Sequence, residues 1–182
     1  MAITLNGTTG ITTPAVSSTG ASTFAGSLAL PSGGLTVGTD QLVVDSVGRV
    51  TMPYQPAFRV HRSTATWEVY SLQTVIWDTA TLNIGNHFNT TNGTFTAPIN
   101  GLYYLQFAAY QLQASASGSA YIYVNGLTDN TYRYNLVQEN TALDMTNHVI
   151  VIQPLLAGDS VTTVVSGDLY TGHSSFSGYL IG

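Results

Sequence analysis

The chain has 182 residues, which is enough for one full domain of about 120 to 150 residues and a smaller appendage. Charged residues make up only 7% of it, against about 25% in a typical soluble protein, so we expect a neutral-polar surface that is partly buried in an oligomer. The net charge is −5 and cysteine is absent, which argues against nucleic acid and anionic membrane as partners and excludes disulfides and thiolate chemistry. No apolar run approaches the roughly 20 residues of a membrane span, so membrane insertion is not expected.

Residues 1–56 are rich in Thr, Ser and Gly, with β-prone pieces of three to five residues separated by turn residues. Pieces this short cannot form a core within one chain. Two interpretations stay open: a β-structured stalk in which three chains cover one another's apolar faces, and a flexible linker with one hairpin near residues 35–52. Pro53 and Pro56 hold the backbone extended and mark a boundary, so the chain divides into residues 1–56, a stalk or anchor, and residues 57–182, a head.

The head begins with an alternating strand at residues 57–62, and β-type patterns then recur about every ten residues. No stretch keeps a helical period for three turns, so the pattern predicts an antiparallel sandwich. Asn125-Gly126 and Gly158-Asp159 are each predicted to close a hairpin. The further strands are predicted at residues 67–78, 93–98, 102–113, 119–125, 130–138, 146–153, 160–166 and 174–182.

Residues 94–110 are predicted to form a hairpin that turns through residues 98–101, where Asn100-Gly101 tolerates a positive φ. The second strand of this hairpin is apolar on both faces. Both faces must then be covered, one by the second sheet of the sandwich and the other by another copy of the chain. The residues are Tyr103, Leu105 and Phe107 on one face and Leu102, Tyr104 and Ala108 on the other.

An aromatic signature runs through the same region, and it resembles that of the C1q/TNF-like head family. Every spacing of the signature holds, while Trp77 and Leu105 stand where the family usually has Phe. Residues 82–88, 155–161 and the closing strand with Phe176 and Gly178 are similar to the family as well. The residues that carry the resemblance are Trp77, Asn83, Phe88, Phe95, Gly101, Tyr103, Leu105 and Phe107.

This resemblance covers residues 57–182 and implies a ten-stranded antiparallel jelly-roll that assembles as a homotrimer. Large aromatic residues of the signature are expected to fill the core, each burying roughly 150 to 250 Å². Gly178 is expected to allow a backbone or ring to approach closely, and Leu105 is the position where altered packing is expected. We interpret all ten positions as fold residues and none of them as catalytic.

No chemical site is expected within one chain. The four histidines occur at no metal-ligand spacing, and no acidic cluster matches the calcium sites of some family members, so neither metal nor cofactor is predicted. Glu68 and Glu139 are the only glutamates and do not indicate a paired acid–base role, and residues 172–176 lack a nucleophile elbow. The sequence therefore predicts a protein that is not an enzyme.

Recognition is the function that remains. The loops at residues 113–119, 126–133 and 167–173 are polar and contain Tyr, Asn and Ser, a composition that suits contacts with glycan or protein. Tyr132, Arg133 and Tyr134 form an aromatic-basic cluster and are the candidate recognition patch. The alternative is that these tyrosines pack between subunits.

Residues 35–58 are similar in texture to the necks of phage fibre proteins. The resulting hypothesis is a homotrimeric bacteriophage structural protein on the virion surface, bound to other virion proteins through its N-terminal segment. It would serve as a tail fibre or receptor-binding tip, or as a capsid decoration or head-fibre protein. The competing hypotheses are a secreted C1q-like adhesion or signalling module, although no signal peptide or collagen repeat is apparent, and an enzyme that hydrolyses host surface glycan.

Overall fold

A computed structural model describes residues 35–37, 42–44, 47–111, 118–126, 133–137 and 145–182. Its only helix over these ranges is the single 3-10 turn Thr171–His173. None of the described segments forms a helix that is long and apolar enough to cross a membrane. The prediction of an all-β fold is therefore confirmed for the described residues.

The N-terminal strands form a small antiparallel sheet of their own. Strands β1 (Leu35–Val37), β2 (Leu42–Val44) and β3 (Val50–Thr51) pair in the order β1-β2-β3. Three of the β-prone pieces are therefore strands, as predicted. The choice between a stalk and a linker remains a prediction, because residues 1–34 lie outside the described residues.

The head consists of two antiparallel sheets. The five-stranded sheet has the order β12-β9-β14-β4-β6, and the six-stranded sheet has the order β11-β10-β13-β8-β7, with β5 also paired to β13. The described residues give the head eleven strands rather than ten, since the two-residue β7 precedes β8 as a separate strand. The strands are β4 (Ala57–His61), β5 (Trp67–Thr74), β6 (Thr79–Ile84), β7 (Phe88–Asn89), β8 (Thr94–Thr96), β9 (Gly101–Gln111), β10 (Ser119–Val124), β11 (Arg133–Val137), β12 (Met145–Leu155), β13 (Ser160–Tyr170) and β14 (Ser175–Leu180).

The core lies between the two sheets and is dominated by aromatic rings. Strand β9 follows the period of two, with Tyr103, Leu105 and Phe107 fully buried on its inner face. Phe58 on β4 is at the centre of the aromatic cluster, with ring centroids 4.6 to 5.1 Å from those of three other phenylalanines. Phe58 is not part of the signature, and sequence reasoning did not single it out.

The predicted hairpin at residues 94–110 is wrong, because β8 and β9 lie in different sheets. Strand β8 pairs with β7 and β13, whereas β9 pairs with β12 and β14, so residues 97–100 lead from one sheet to the other. Neither Asn100 nor Gly101 has a positive φ. Gly101 instead lies close to the end of the chain: a Cβ there would lie 2.5 Å from Cδ1 of Leu180 and 3.1 Å from the Gly182 carbonyl oxygen, so Leu180 would have to move.

Gly158-Asp159 likewise leads from one sheet to the other, from β12 to β13, and closes no hairpin. The hairpin after Val124 is confirmed, since β10 pairs with β11 from Ser119 opposite Val137 to Tyr123 opposite Arg133. Pro, Asn and Gly support tight turns inside a sheet and corners between sheets alike, so local turn chemistry could not separate the two cases.

Candidate functional site

Trp77 is fully buried and its indole has a specific partner. Nε1 of Trp77 donates a hydrogen bond of 2.8 Å to Oγ1 of Thr163, which is also fully buried. The rings of Trp77 and Phe107 lie in a T-shaped arrangement, with their centroids 5.8 Å apart. The N–H that distinguishes Trp from the usual Phe is therefore satisfied by a strand of the six-stranded sheet.

Asn83 supports the backbone of Phe88 on both sides. Its Nδ2 donates to the Phe88 carbonyl at 2.9 Å, and its Oδ1 accepts from the Phe88 N–H at 3.0 Å. Gly85 and Asn86 between them have φ of 76° and 57°. An amide carries both a donor and an acceptor, so the Asn83 side chain substitutes for a strand partner across this turn.

Gly178 of β14 lies directly opposite Leu105 of β9 in the five-stranded sheet. A Cβ at Gly178 would lie 2.8 Å from Cδ2 of Leu105 and 2.9 Å from Cε1 of Phe58. Leu105 is fully buried at this contact. The remaining signature residues, Phe88, Phe95 and Phe176, are at most 3% exposed, so the structure places them in the core with no opening to a ligand.

Two residues of the predicted recognition patch lie on an edge strand of the six-stranded sheet. Arg133 and Tyr134 lie in β11, opposite Tyr123 and Ile122 of β10, and only their backbone is described. Tyr132 lies outside the described residues. The patch therefore stays a prediction.

The histidines do not converge on a metal site. Nδ1 of His61 lies 2.8 Å from the Arg62 carbonyl, and Nδ1 of His148 lies 3.2 Å from Nε2 of Gln106. Over the described segments, no three His, Asp or Glu side chains are grouped so that they could hold a metal ion.

Arg62 is the centre of a polar cluster near the start of β5. It donates to Oε1 of Glu68 at 2.8 Å and lies 3.7 Å from Oδ2 of Asp78. The hydroxyl of Tyr70 donates to Oε2 of Glu68, and burial together with this contact raises the pKa of Tyr70. Burial would raise the pKa of Asp78, but hydrogen bonds from the N–H and hydroxyl of Ser63 hold it below its ordinary value. Glu68 thus has an ion-pairing role.

The outer face of the five-stranded sheet carries a row of apolar side chains. Ile152, Tyr104 and Tyr179 lie opposite one another on β12, β9 and β14, and the two tyrosine rings stack with centroids 5.2 Å apart. Ile152 is 57% exposed and Tyr179 is 49% exposed. We call these three residues the apolar row. Nothing within the described part of the chain covers the apolar row. The outer face of an antiparallel sheet usually carries polar side chains, so this row is unusual.

A second surface feature is formed by four rings from separate parts of the head, namely Trp67, Tyr110, Tyr170 and His173. They line a hollow of about 270 Å³, which we call the aromatic hollow. The ring centroids of Trp67, Tyr110 and Tyr170 lie 5.1 to 6.0 Å apart, and His173 lies 4.9 Å from Tyr170. Sequence reasoning singled out residues 167–173, which contain Tyr170 and His173, as a candidate recognition loop. It missed the hollow itself, because Trp67 and Tyr110 come from distant parts of the chain and each alone looks like an ordinary surface ring.

Comparison with known proteins agrees with the sandwich and its signature. The C1q domain model matches residues 57–181. Human complement C1q tumor necrosis factor-related protein 3 is 29% identical over 112 residues, which cover 59% of this chain and 44% of the human protein. The chain thus spans less than half the length of this curated relative.

Solved structures share the fold at low identity. The globular domain of zebrafish complement 1qA superposes with a TM-score of 0.53 at 19% identity, covering 70% of this chain and 98% of that one. Murine APRIL gives 0.55 at 11% identity, covering 70% and 99%, and the Eiger TNF of S. frugiperda gives 0.51 at 12% identity, covering 70% and 93%. The family model extends over more than half of the chain and the structures share its two-sheet architecture. The chain therefore belongs to the C1q domain family.

Proposed function

We propose that the chain forms a non-enzymatic homotrimer whose C1q head serves as a recognition module. The observation that carries this proposal is the apolar row, which is exposed on the outer face of a sheet whose inner face already packs against the core. Burial of apolar surface contributes about 25 cal/mol per Å², so covering this row with a neighbouring head favours association. C1q domains generally act by binding rather than by catalysis, which is consistent with this role.

Light scattering of the purified chain tests the assembly. We expect three chains per particle, and we expect Ile152→Lys to shift the population toward monomers while circular dichroism shows an intact fold. Val69→Lys is the matched control, since Val69 is 80% exposed on β5 of the other sheet. A wild-type monomer, or equal effects of the two substitutions, would contradict the apolar row as the interface.

We further propose that the trimer is a bacteriophage virion protein, anchored to the particle through residues 1–56 with the head outward. Support comes from the Thr/Ser/Gly texture of that segment, its short strands β1 to β3, and the scarcity of charge. The partners would be other virion proteins at the base and host surface glycan or protein at the head. Tail fibre and capsid decoration both fit this arrangement.

The second candidate is a C1q-like adhesion or signalling module outside any virion. The similarity to human complement C1q tumor necrosis factor-related protein 3 favours it. Protein counting in purified particles separates the two candidates. Hundreds of copies per particle indicate capsid decoration, and a few dozen or fewer indicate the tail. Absence from particles and presence in the culture medium would refute the virion proposal and favour the module.

Removal of residues 1–52 tests the anchor. We expect the remaining head to fold, as judged by circular dichroism, and to be lost from particles. Incorporation of the shortened chain at the wild-type level would show that the N-terminal segment is not the anchor.

A further inference from the structure

The aromatic hollow lies at one end of the sandwich, away from the apolar row. Tyr110 follows Tyr104 of that row by six residues on β9, which corresponds to roughly 20 Å along the strand. Strand β14 pairs with β9 only as far as Ala108, so it does not run beside Tyr110. The Tyr110 ring instead meets Trp67 and Tyr170 of the six-stranded sheet, with centroids 5.8 and 6.0 Å away. A neighbouring head that covers the apolar row can therefore leave the hollow open.

The backbones that carry these rings are tied together by two buried hydroxyl groups. Oγ1 of Thr171 accepts a hydrogen bond from the Thr66 N–H at 3.0 Å, just before β5 begins. Oγ of Ser174 donates to the Tyr170 carbonyl at 2.8 Å and accepts from the Tyr110 N–H at 3.0 Å. Both hydroxyl-bearing residues are at most 3% exposed. The rings thus have a fixed base, as is typical of a preorganised site.

The four rings are inclined to one another and do not form a flat stack. The Trp67 ring makes angles of 39° and 49° with those of Tyr110 and Tyr170, and the His173 ring stands at 90° and 73° to the same two. Trp67 is 41% exposed, His173 is exposed as well, and the two tyrosines are half-buried. A cation is attracted to an aromatic face within about 6 Å of the ring centroid. Because the centroids of neighbouring rings are 4.9 to 6.0 Å apart, one cation in the hollow can reach several faces at once.

The charges near the hollow are mainly negative. Arg62, near the start of β5, is paired with two carboxylates, Glu68 at 2.8 Å and Asp78 at 3.7 Å, so one positive and two negative charges leave this cluster at −1. Asp168 lies on the same face of β13 as Tyr170, two residues earlier or roughly 7 Å away. The whole chain has a net charge of −5. This field favours a cation in the hollow over an anion.

We propose that the aromatic hollow binds a quaternary ammonium group, such as the trimethylammonium end of choline. The positive methyl surface of the group would pack on the faces of Trp67 and Tyr170, because the face is the negative part of the ring quadrupole. A quaternary ammonium has no N–H, so it needs no hydrogen-bond acceptor and is satisfied by rings alone. The inference names a ligand class for the recognition head and rests on that proposed function.

Other ligand classes fit the hollow less well. A primary ammonium is strongly hydrated and would exchange its water for ring faces that accept hydrogen bonds poorly. A neutral apolar group would gain nothing from the nearby carboxylates, and an anion would be repelled by them. The exposed Arg59 lines the adjoining groove, on the outer face of the five-stranded sheet, and is not among the residues that line the hollow.

The test titrates the full-length chain with choline and with 3,3-dimethyl-1-butanol. The two molecules have the same shape, but the alcohol carries carbon in place of the charged nitrogen. Binding is followed by NMR chemical shifts of the protein. We expect choline to bind about tenfold more tightly than the neutral alcohol, since only the charge differs between them.

Two variants and one matched control localise the binding. Trp67→Leu is expected to weaken choline binding about tenfold, because it keeps an apolar side chain but removes the aromatic face that binds cations best. Trp67→Phe keeps a smaller face and should lose less. The control is Tyr54→Leu, which removes a 65% exposed ring outside the hollow and should bind choline as the wild type does. Circular dichroism checks that each variant is folded.

Three outcomes would overturn the inference: no choline-dependent shift up to about 50 mM, equal binding of choline and the neutral alcohol, or unchanged choline binding by Trp67→Leu. Light scattering on the same samples separates this failure from failure of the proposed function. A trimer that binds no choline rejects the ammonium site alone, whereas a monomer that binds choline rejects the assembly alone.

Discussion

The hydrogen bond between Trp77 and Thr163 lends itself to a double-mutant cycle. Thr163→Val keeps the shape of the side chain but removes the acceptor, so the indole N–H of Trp77 is left unsatisfied in the core. An orphaned buried donor costs about 1 to 3 kcal/mol, and we expect the free energy of unfolding to fall by that amount. For a chain of this size, each 1 kcal/mol lowers Tm by about 2 to 4 °C.

The Trp77→Phe background separates the hydrogen bond from the loss of the hydroxyl group itself. Phe has no N–H, so Thr163→Val should cost less there than in the wild type. We expect a coupling energy of about 1 to 2 kcal/mol between the two positions. Thr162→Val is the matched control, because Thr162 is the half-buried neighbour on the same strand, and it should change stability by no more than about 0.5 kcal/mol.

The measurement is urea unfolding followed by circular dichroism at one fixed chain concentration, since assembly makes apparent stability depend on concentration. The slope of the transition should stay constant while its midpoint moves. A coupling energy below about 0.3 kcal/mol would refute the view that this hydrogen bond compensates for the indole in the core.

Three further changes test the core, the turn and the acid response. Phe107→Ala should lower the free energy of unfolding by about 3 to 5 kcal/mol in urea titrations, and a nearly neutral result would contradict its place in the core. Asn83→Asp removes the donor to the Phe88 carbonyl and should lower Tm more than Asn92→Asp in the neighbouring turn; equal shifts would show that the Asn83 clamp adds nothing. The folded-state pKa of Asp78 is below its ordinary value of 3.8, so its stabilisation is present above that value and lost as pH falls through the lower one. The Tm difference between wild type and Asp78→Asn should therefore shrink as the pH falls into the acid range, and a difference that stays constant with pH would contradict the hydrogen bonds from Ser63 as its cause.

Sequence patterns identified the class of fold because they depend on local periodicity. Alternation along residues 101–111 placed Tyr103, Leu105 and Phe107 on one face, and the structure buries all three. The same patterns failed at residues 97–100, since a corner between two sheets uses the residues of a hairpin turn. Which strands pair depends on contacts between distant segments, such as Phe176 opposite Val60, and these leave no local trace.

The candidate surfaces could likewise be predicted only as far as they depend on local alternation. The outward residues of β9 were expected to need a cover, and Tyr104 does belong to the apolar row. The rest of the row, Ile152 and Tyr179, lies beside Tyr104 only because β12 and β14 flank β9 in the sheet. The aromatic hollow draws on the ends of three strands and one 3-10 turn, so no spacing rule could have assembled it. The hydrogen bonds of the buried Thr171 to Thr64 and Thr66, just before Trp67, join residues more than 100 positions apart, so no sequence pattern could have indicated them.

The position of β14 between β4 and β9 has a consequence for the order of folding. Residues 175–180 are the last strand of the head, yet they fill the middle of the five-stranded sheet. Until they emerge from the ribosome, β4 and β9 each lack a central partner and expose unpaired edges. Such long-range pairing is slow, and exposed edges favour aggregation. Completion of the head must therefore wait until residues 175–180 have emerged from the ribosome, and stalling the ribosome before residue 175 should leave a nascent chain that depends on chaperones.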